Sequence, residues 1–153
     1  MSQLFFQKAL SIVFTLATLG YACISSAHDA GAIMDPNGNV ASFTGYGQVT
    51  CFDDGNGPPD HLVASVQDTS LPQENLLVNL QIIQGKHAIN TTDAISGDGR
   101  FSDNISVFGG QGPYLLLVNK TGPGLRKFIV SYHCMTFDNV HTGTSEVLVH
   151  QFQ

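Results

Sequence analysis

The sequence has no tryptophan, only three cysteines and few charged residues, and most of its charges are negative. Six Lys and Arg side chains stand against twelve Asp and Glu, and charged residues make up 12% of the 153 positions. Nucleic-acid binding depends on cations that neutralise phosphates, so this composition argues against a nucleic-acid partner. An anionic membrane surface is disfavoured for the same reason.

The motifs of several large enzyme classes are also missing. The sequence contains no G-x-S-x-G, H-E-x-x-H or G-x-x-x-x-G-K pattern and no dinucleotide-binding fingerprint. Lys120-Thr121-Gly122 matches one box of the penicillin-recognising enzymes, but the S-x-x-K motif that would supply their nucleophile is absent. The sequence therefore favours a protein that binds a ligand or partner over an enzyme.

The first 27 residues have the features of a signal peptide. A short start with one cation, Lys8, precedes an apolar run from Ala9 to Ile24, and Ser25-Ser26-Ala27 supplies the small residues of a cleavage site. The run is shorter than the roughly 20 residues of a membrane span, so we expect cleavage after Ala27 and no span afterwards. Lipidation at Cys23 is an alternative, although Tyr21 departs from the lipobox pattern. The prediction is a secreted or periplasmic protein, with bacterial export favoured over eukaryotic secretion.

Two cysteines, Cys51 and Cys134, remain after the predicted cleavage. An exported protein with an even number of cysteines is expected to pair them, so the sequence predicts one disulfide. The alternative is two buried free thiols. Loss of Lys8 leaves five cations against twelve carboxylates, a formal charge of −7 for residues 28–153.

Apolar residues after position 40 alternate with polar ones in short bursts, separated by clusters of Gly, Pro, Asn and Asp. This pattern is typical of antiparallel β-structure, and no stretch keeps a 3.6-residue period. We predict a single all-β domain over 28–153, an antiparallel β-sandwich of about seven to eight strands, Ig-like or jelly-roll-like. The expected strands are 41–52, 61–68, 76–83, 101–108, 113–119, 125–137 and 144–152.

One segment resembles a known family. Gly109 to Lys120 gives a Gly-rich turn and a Tyr-led strand, and Phe128 to Cys134 gives a second aromatic strand after the turn at Gly122 to Gly124. This pattern resembles the last hairpin of bacterial pre-peptidase C-terminal domains, which are secreted β-sandwiches. The resemblance covers about 40 residues and implies fold and compartment, not an activity.

Six histidines, all after position 27, suggest a metal site. Cleavage after Ala27 would give His28 a free α-amine beside its imidazole, and these two nitrogens can chelate one copper ion. Such a terminus is similar to that of periplasmic copper-resistance proteins and copper-dependent polysaccharide monooxygenases, although only the terminus matches. Our candidate copper ligands are His28, His133, His141 and His150. The alternative is six ordinary surface histidines.

An oxygen-rich loop offers a different ion. Asp93, Asp98 and Asp103 lie close together in sequence and could stabilise a structural or adhesion module by binding calcium. Turn chemistry explains the same residues without a metal. No motif decides among these hypotheses.

The leading hypothesis is therefore an exported, non-enzymatic binding or accessory protein of unknown ligand, with copper and calcium binding as alternatives. A protein or carbohydrate partner would be met by apolar side chains on an outer sheet face, for which the candidates are Leu77, Ile83, Ile129 and Phe152.

Overall fold

The computed structural model describes residues 28–153, and the predicted signal peptide lies outside this range. Ten β-strands make up the fold, and the described part contains no helix, hence none able to span a membrane. The strands are β1 (His28–Met34), β2 (Thr44–Phe52), β3 (His61–Asp68), β4 (Val78–Gln84), β5 (His87–Asp93), β6 (Ile105–Val107), β7 (Gly112–Lys120), β8 (Arg126–Met135), β9 (His141–Thr144) and β10 (Leu148–Phe152).

All strand pairs are antiparallel, in the order β5-β4-β7-β2-β9-β8-β3-β6. In addition, β1 pairs with β8 and β10 pairs with β2. The end strands β5 and β6 contact each other, so the sheet has a nearly closed, barrel-like shape. The all-β prediction is confirmed, but there are ten strands in place of seven to eight. A sandwich of two separate sheets is not confirmed, because β9 hydrogen-bonds to both β2 and β8 and joins the two halves.

The core lies inside this curved sheet. Buried and half-exposed residues alternate along β2, β7 and β8, as expected for strands with one face in the core. Val49, Leu80, Tyr114 and Tyr132 are among the fully buried side chains. Burial of this apolar inner face is the main favourable contribution to folding.

The predicted disulfide is present. Cys51 of β2 and Cys134 of β8 are bonded, with 5.5 Å between their Cα atoms and a sequence separation of 83. The bond joins the two halves of the sheet near β9. It also means that β8 residues adjacent to Cys134, such as His133, face away from the core, as the alternation predicts.

Two buried ion pairs fix loops to the barrel. Lys120 Nζ lies 2.9 Å from Asp35 Oδ2, and Arg126 Nη1 lies 3.1 Å from Asp68 Oδ2. All four side chains are at most 4% exposed, and each cation also donates to backbone carbonyls or neighbouring side chains. Buried charges are tolerated because they are paired and hydrogen-bonded in this way.

The sequence pattern was wrong about some strands. It did not predict β1, β5 or β9, and the expected strand 101–108 is reduced to three residues, Ile105–Val107. β7 and β8 also do not form the hairpin inferred from the Gly-rich turns, since β7 pairs with β2 and β4 while β8 pairs with β1, β3 and β9. The turn at 121–125 therefore carries the chain from one half of the sheet to the other.

Candidate metal centre

Three histidines from three different strands meet at one end of the barrel. His28 begins β1, His133 lies near the end of β8, and His141 begins β9. One nitrogen atom from each imidazole can be chosen so that all three lie within 4.8 Å of one another. No other group of three or more His, Cys, Asp or Glu in residues 28–153 meets this criterion. We refer to His28, His133 and His141 as the histidine cluster.

The strand register explains why these residues converge. On the same edge of β8, β9 pairs with Cys134 and Met135, whereas β1 pairs from Tyr132 towards Arg126. His133 therefore lies between the residues of β8 that pair with β1 and those that pair with β9. Because His28 is opposite Tyr132 in an antiparallel pair, the backbone nitrogen of His28 lies on the side of that pair towards His133.

His133 and His141 are in direct contact. His133 Nδ1 is 3.0 Å from His141 Nε2, and the ring centroids are 5.0 Å apart at 66°. On the other side of its ring, His133 Nε2 is 3.4 Å from the hydroxyl of Ser131. A proton on Nε2 donated to Ser131 would leave Nδ1 with its lone pair directed at His141.

His28 completes the cluster from the opposite side. Its ring is nearly parallel to that of His141, at 7° with centroids 5.9 Å apart, and it packs against the Tyr132 ring at the same centroid distance. The Nδ1 atom of His28 is buried and has no hydrogen-bond partner among the described residues. Buried polar atoms are nearly always satisfied, and within residues 28–153 this nitrogen, like the buried hydroxyl of Tyr132, makes no hydrogen bond to the protein.

The surroundings of His133 and His141 favour the neutral form of these two imidazoles. Burial lowers the pKa of His133 below its usual value, and the neighbouring His141 and His28 lower it further, against a small opposing effect of Asp29. Burial and then His28 likewise lower the pKa of His141, opposed by Asp54. Neutral imidazole is the form that binds metals, so the lowered pKa values of His133 and His141 weaken the competition of protons for these two nitrogens.

The donor set and its spacing fit a transition metal. All three donors are imidazole nitrogens, which suit copper, zinc and nickel and not calcium. The 3.0 Å between His133 Nδ1 and His141 Nε2 is short enough for both nitrogens to bind one ion at the usual metal–nitrogen distance of roughly 2.0 to 2.1 Å.

The remaining predicted site residues lie elsewhere. His150 belongs to β10, which pairs with β2 and not with β8, so it shares no face with His133; its ring stacks on Tyr46, with centroids 5.7 Å apart. The calcium candidates do not gather, because Asp93 is buried and accepts backbone N–H bonds from Asp68 and Ile95, while Asp98 and Asp103 are exposed.

The predicted apolar contact residues are less exposed than expected. Leu77, Ile83 and Ile129 are half-buried. Phe152 is 39% exposed, and its ring packs edge-on against Phe43 with centroids 5.1 Å apart. They do not form one surface, since Ile129 lies on β8 and the others near or on strands of the opposite half.

Sequence reasoning did not identify Ser131. The signal was present, because Ser131 and His133 are two residues apart on a strand and so point to the same face.

Comparisons with protein-family models, with curated proteins and with solved structures find no match to this chain.

Proposed function

We propose that residues 28–153 form an exported copper-binding protein in which the histidine cluster holds one Cu(II) ion. The supporting observation is the convergence of three imidazoles from β1, β8 and β9, with one nitrogen atom of each within 4.8 Å of the others. Within residues 28–153, the Nδ1 atom of His28 is also buried without a hydrogen-bond partner. Of the four candidate copper ligands in the sequence, His28, His133 and His141 belong to this set, and His150 does not.

The fourth donor of the proposed site is the α-amine of His28. Cleavage after Ala27 would create this group, and the α-amine and Nδ1 of one histidine close a six-membered ring with a metal. The register supports this arrangement, since the nitrogen of residue 28 lies at the step between β1 and β9, next to His133. Its unperturbed pKa is near 8, so a metal displaces its proton easily at neutral pH.

Copper is favoured over other divalent ions by the donors. Among first-row metals a nitrogen site binds Cu(II) most tightly, and Cu(II) prefers tetragonal geometry. The three imidazoles and the α-amine would supply a donor set made of nitrogens alone. Zinc is the competitor, because it accepts the same nitrogen donors in a tetrahedral arrangement.

We propose that the protein binds copper without catalysing a reaction, since the sequence carries none of the enzyme motifs considered above. An oxidising compartment, secreted or periplasmic, suits both the disulfide and a site completed by signal cleavage. In this proposal the two halves of the barrel act as the two layers of a sandwich, and the cluster occupies the end where β9 connects them.

The experiment compares two termini. Protein beginning exactly at His28 and the same protein with one added residue before His28 are titrated with Cu(II) by calorimetry against a competing chelator. The added residue turns the α-amine into a peptide nitrogen but changes no side chain. We expect the authentic terminus to bind one Cu(II) at least tenfold more tightly; equal affinities would refute a role for the α-amine, and no binding by either form would refute the copper site.

A further inference from the structure

The outer face of β5, β4, β7 and β2 carries adjacent rows of uncharged polar side chains. Thr92, Asn79, Asn119 and Thr44 are cross-strand neighbours in one row. None of the four carries a charge, and Asn79 and Asn119 occupy the two central strands. The row crosses four strands, a width of about 14 Å at the usual strand spacing.

Hydrogen bonds hold the amides of this row in fixed orientations. Thr92 Oγ1 donates to Asn79 Oδ1 over 2.8 Å, and Asn79 Nδ2 donates to Asn119 Oδ1 over 2.8 Å. This chain of bonds leaves the two hydrogens of Asn119 Nδ2 without an acceptor among the described residues. A ligand that met this surface would find donors already oriented, which lowers the entropic cost of binding.

The next row adds amides and an apolar floor. Asn90, Gln81, Leu117 and Tyr46 are cross-strand neighbours, again without a charge. The amides of Gln81 and Asn90 make no side-chain hydrogen bond within residues 28–153. Together with Asn79, Asn119 and Leu117 they line a depression of about 310 Å³. We call this surface the amide face.

We propose that the amide face binds a neutral oligosaccharide. A side-chain amide both donates and accepts hydrogen bonds, as a sugar hydroxyl does, so each amide can pair with hydroxyls of a sugar. The absence of charge in both rows argues against an anionic polymer, which would require Lys or Arg. Leu117 lines the depression and offers apolar surface to the C–H face of a sugar ring. A width of four strands leaves room for a short chain of sugars rather than one.

This site shares no residue with the histidine cluster. The cluster lies on β1, β8 and β9, whereas the amide face lies on β2, β4, β5 and β7. Oligosaccharide binding would thus be a further function, and it does not depend on whether the histidine cluster binds copper. It also differs from the predicted apolar contact residues, since the depression is lined mainly by amides.

The test uses the metal-free protein beginning at His28. Soluble neutral hexaoses of glucose, xylose, mannose and N-acetylglucosamine are titrated by calorimetry, with a sulfated dextran as the anionic comparison. We expect at least one neutral hexaose to bind with a Kd below 1 mM. We also expect Gln81→Ala combined with Asn90→Ala to weaken that binding at least tenfold, because both amides line the depression.

Gln67→Ala supplies the matched control. Gln67 is a half-buried residue of β3, in the other half of the sheet, so its loss removes an amide without touching the depression. The proposal is overturned if none of the four hexaoses binds, if only sulfated dextran binds, or if the double variant binds as tightly as Gln67→Ala. Thermal melting of both variants checks that any loss of binding occurs in folded protein.

Discussion

His133 Nδ1 and His141 Nε2 lie 3.0 Å apart, although the two residues belong to different strands. Two explanations compete for this distance. Either the imidazoles share a hydrogen bond in which one donates and the other accepts, or both present lone pairs to one metal ion. The Nδ1 atom of His28, whose ring stacks on His141, is buried and has no hydrogen-bond partner among residues 28–153. This favours the metal, because a simple His–His hydrogen bond leaves that atom without a partner.

The first prediction concerns His141. Replacement His141→Ala removes one of the proposed nitrogens, and we expect Cu(II) affinity to fall by about 100-fold or more, since even residues that only orient a ligand contribute 10- to 100-fold. His150→Ala is the control, because that histidine stacks on Tyr46 away from the cluster. Chelator competition measures both affinities. Equal losses in the two variants would show that copper binds histidines without regard to the cluster.

The second prediction concerns Ser131, whose hydroxyl lies 3.4 Å from His133 Nε2. Ser131→Ala removes the acceptor that fixes the His133 tautomer, so we expect Cu(II) affinity to fall by about tenfold. The electron paramagnetic resonance spectrum should keep its nitrogen couplings, since no ligand is lost. Ser131→Thr retains the hydroxyl and is expected to recover most of the affinity. Unchanged affinity in Ser131→Ala would remove Ser131 from the site.

The fold and the site were predictable to different degrees. Alternation along residues 126–135 was enough to place His133 on the face opposite Cys134, because side-chain direction on a strand follows from position alone. The convergence of His28 and His141 on His133 was not predictable. It depends on β1 and β9 sharing one edge of β8, and long-range pairing of this kind leaves no local signal in either strand.

β1 and β5 were missed for a related reason. β1 reads HDAGAIM and β5 reads HAINTTD, and neither has the strong apolar alternation that marks a half-buried strand. Much of β5 is exposed, so its pairing with β4 is set by backbone hydrogen bonds more than by burial. The separation of His150 from the other candidate ligands had the same cause, because the sequence does not show with which strand β10 pairs, and it pairs with β2.

The third prediction concerns the disulfide between Cys51 and Cys134. Cys51→Ala combined with Cys134→Ala should lower the free energy of unfolding by about 2 to 5 kcal/mol, since the bond closes a long loop and restricts the unfolded chain. Urea denaturation of the two proteins measures the difference. A loss below about 1 kcal/mol would contradict the prediction. Mass spectrometry without reductant should find the two cysteines linked in the exported protein.

The last prediction is a pH dependence that originates at Asp35. Burial raises the pKa of the Asp35 carboxyl, but hydrogen bonds from Lys120 and from the backbone N–H groups of Gly124, Val40 and Asn39 outweigh this effect and hold the pKa well below its usual range. The folded state therefore binds the proton more weakly than the unfolded state. Stability from this group is fully present above the unfolded pKa and is lost as the pH falls below about 4.

Asp35→Asn tests the direction of this pH dependence. At pH 7 the variant leaves Lys120 Nζ buried without its counter-charge, so its Tm should lie clearly below that of the wild type. As the pH falls from 5 to 2 the wild type should lose much of its advantage and the two Tm values should approach each other, because the Asp35 carboxyl takes up a proton in the unfolded chain at a higher pH than in the folded protein. Asp138→Asn, at an exposed turn residue, is the control and should follow the wild type throughout. A Tm difference between Asp35→Asn and wild type that stays constant over this range would mean that packing around the loop, and not the charge of Asp35, accounts for the loss.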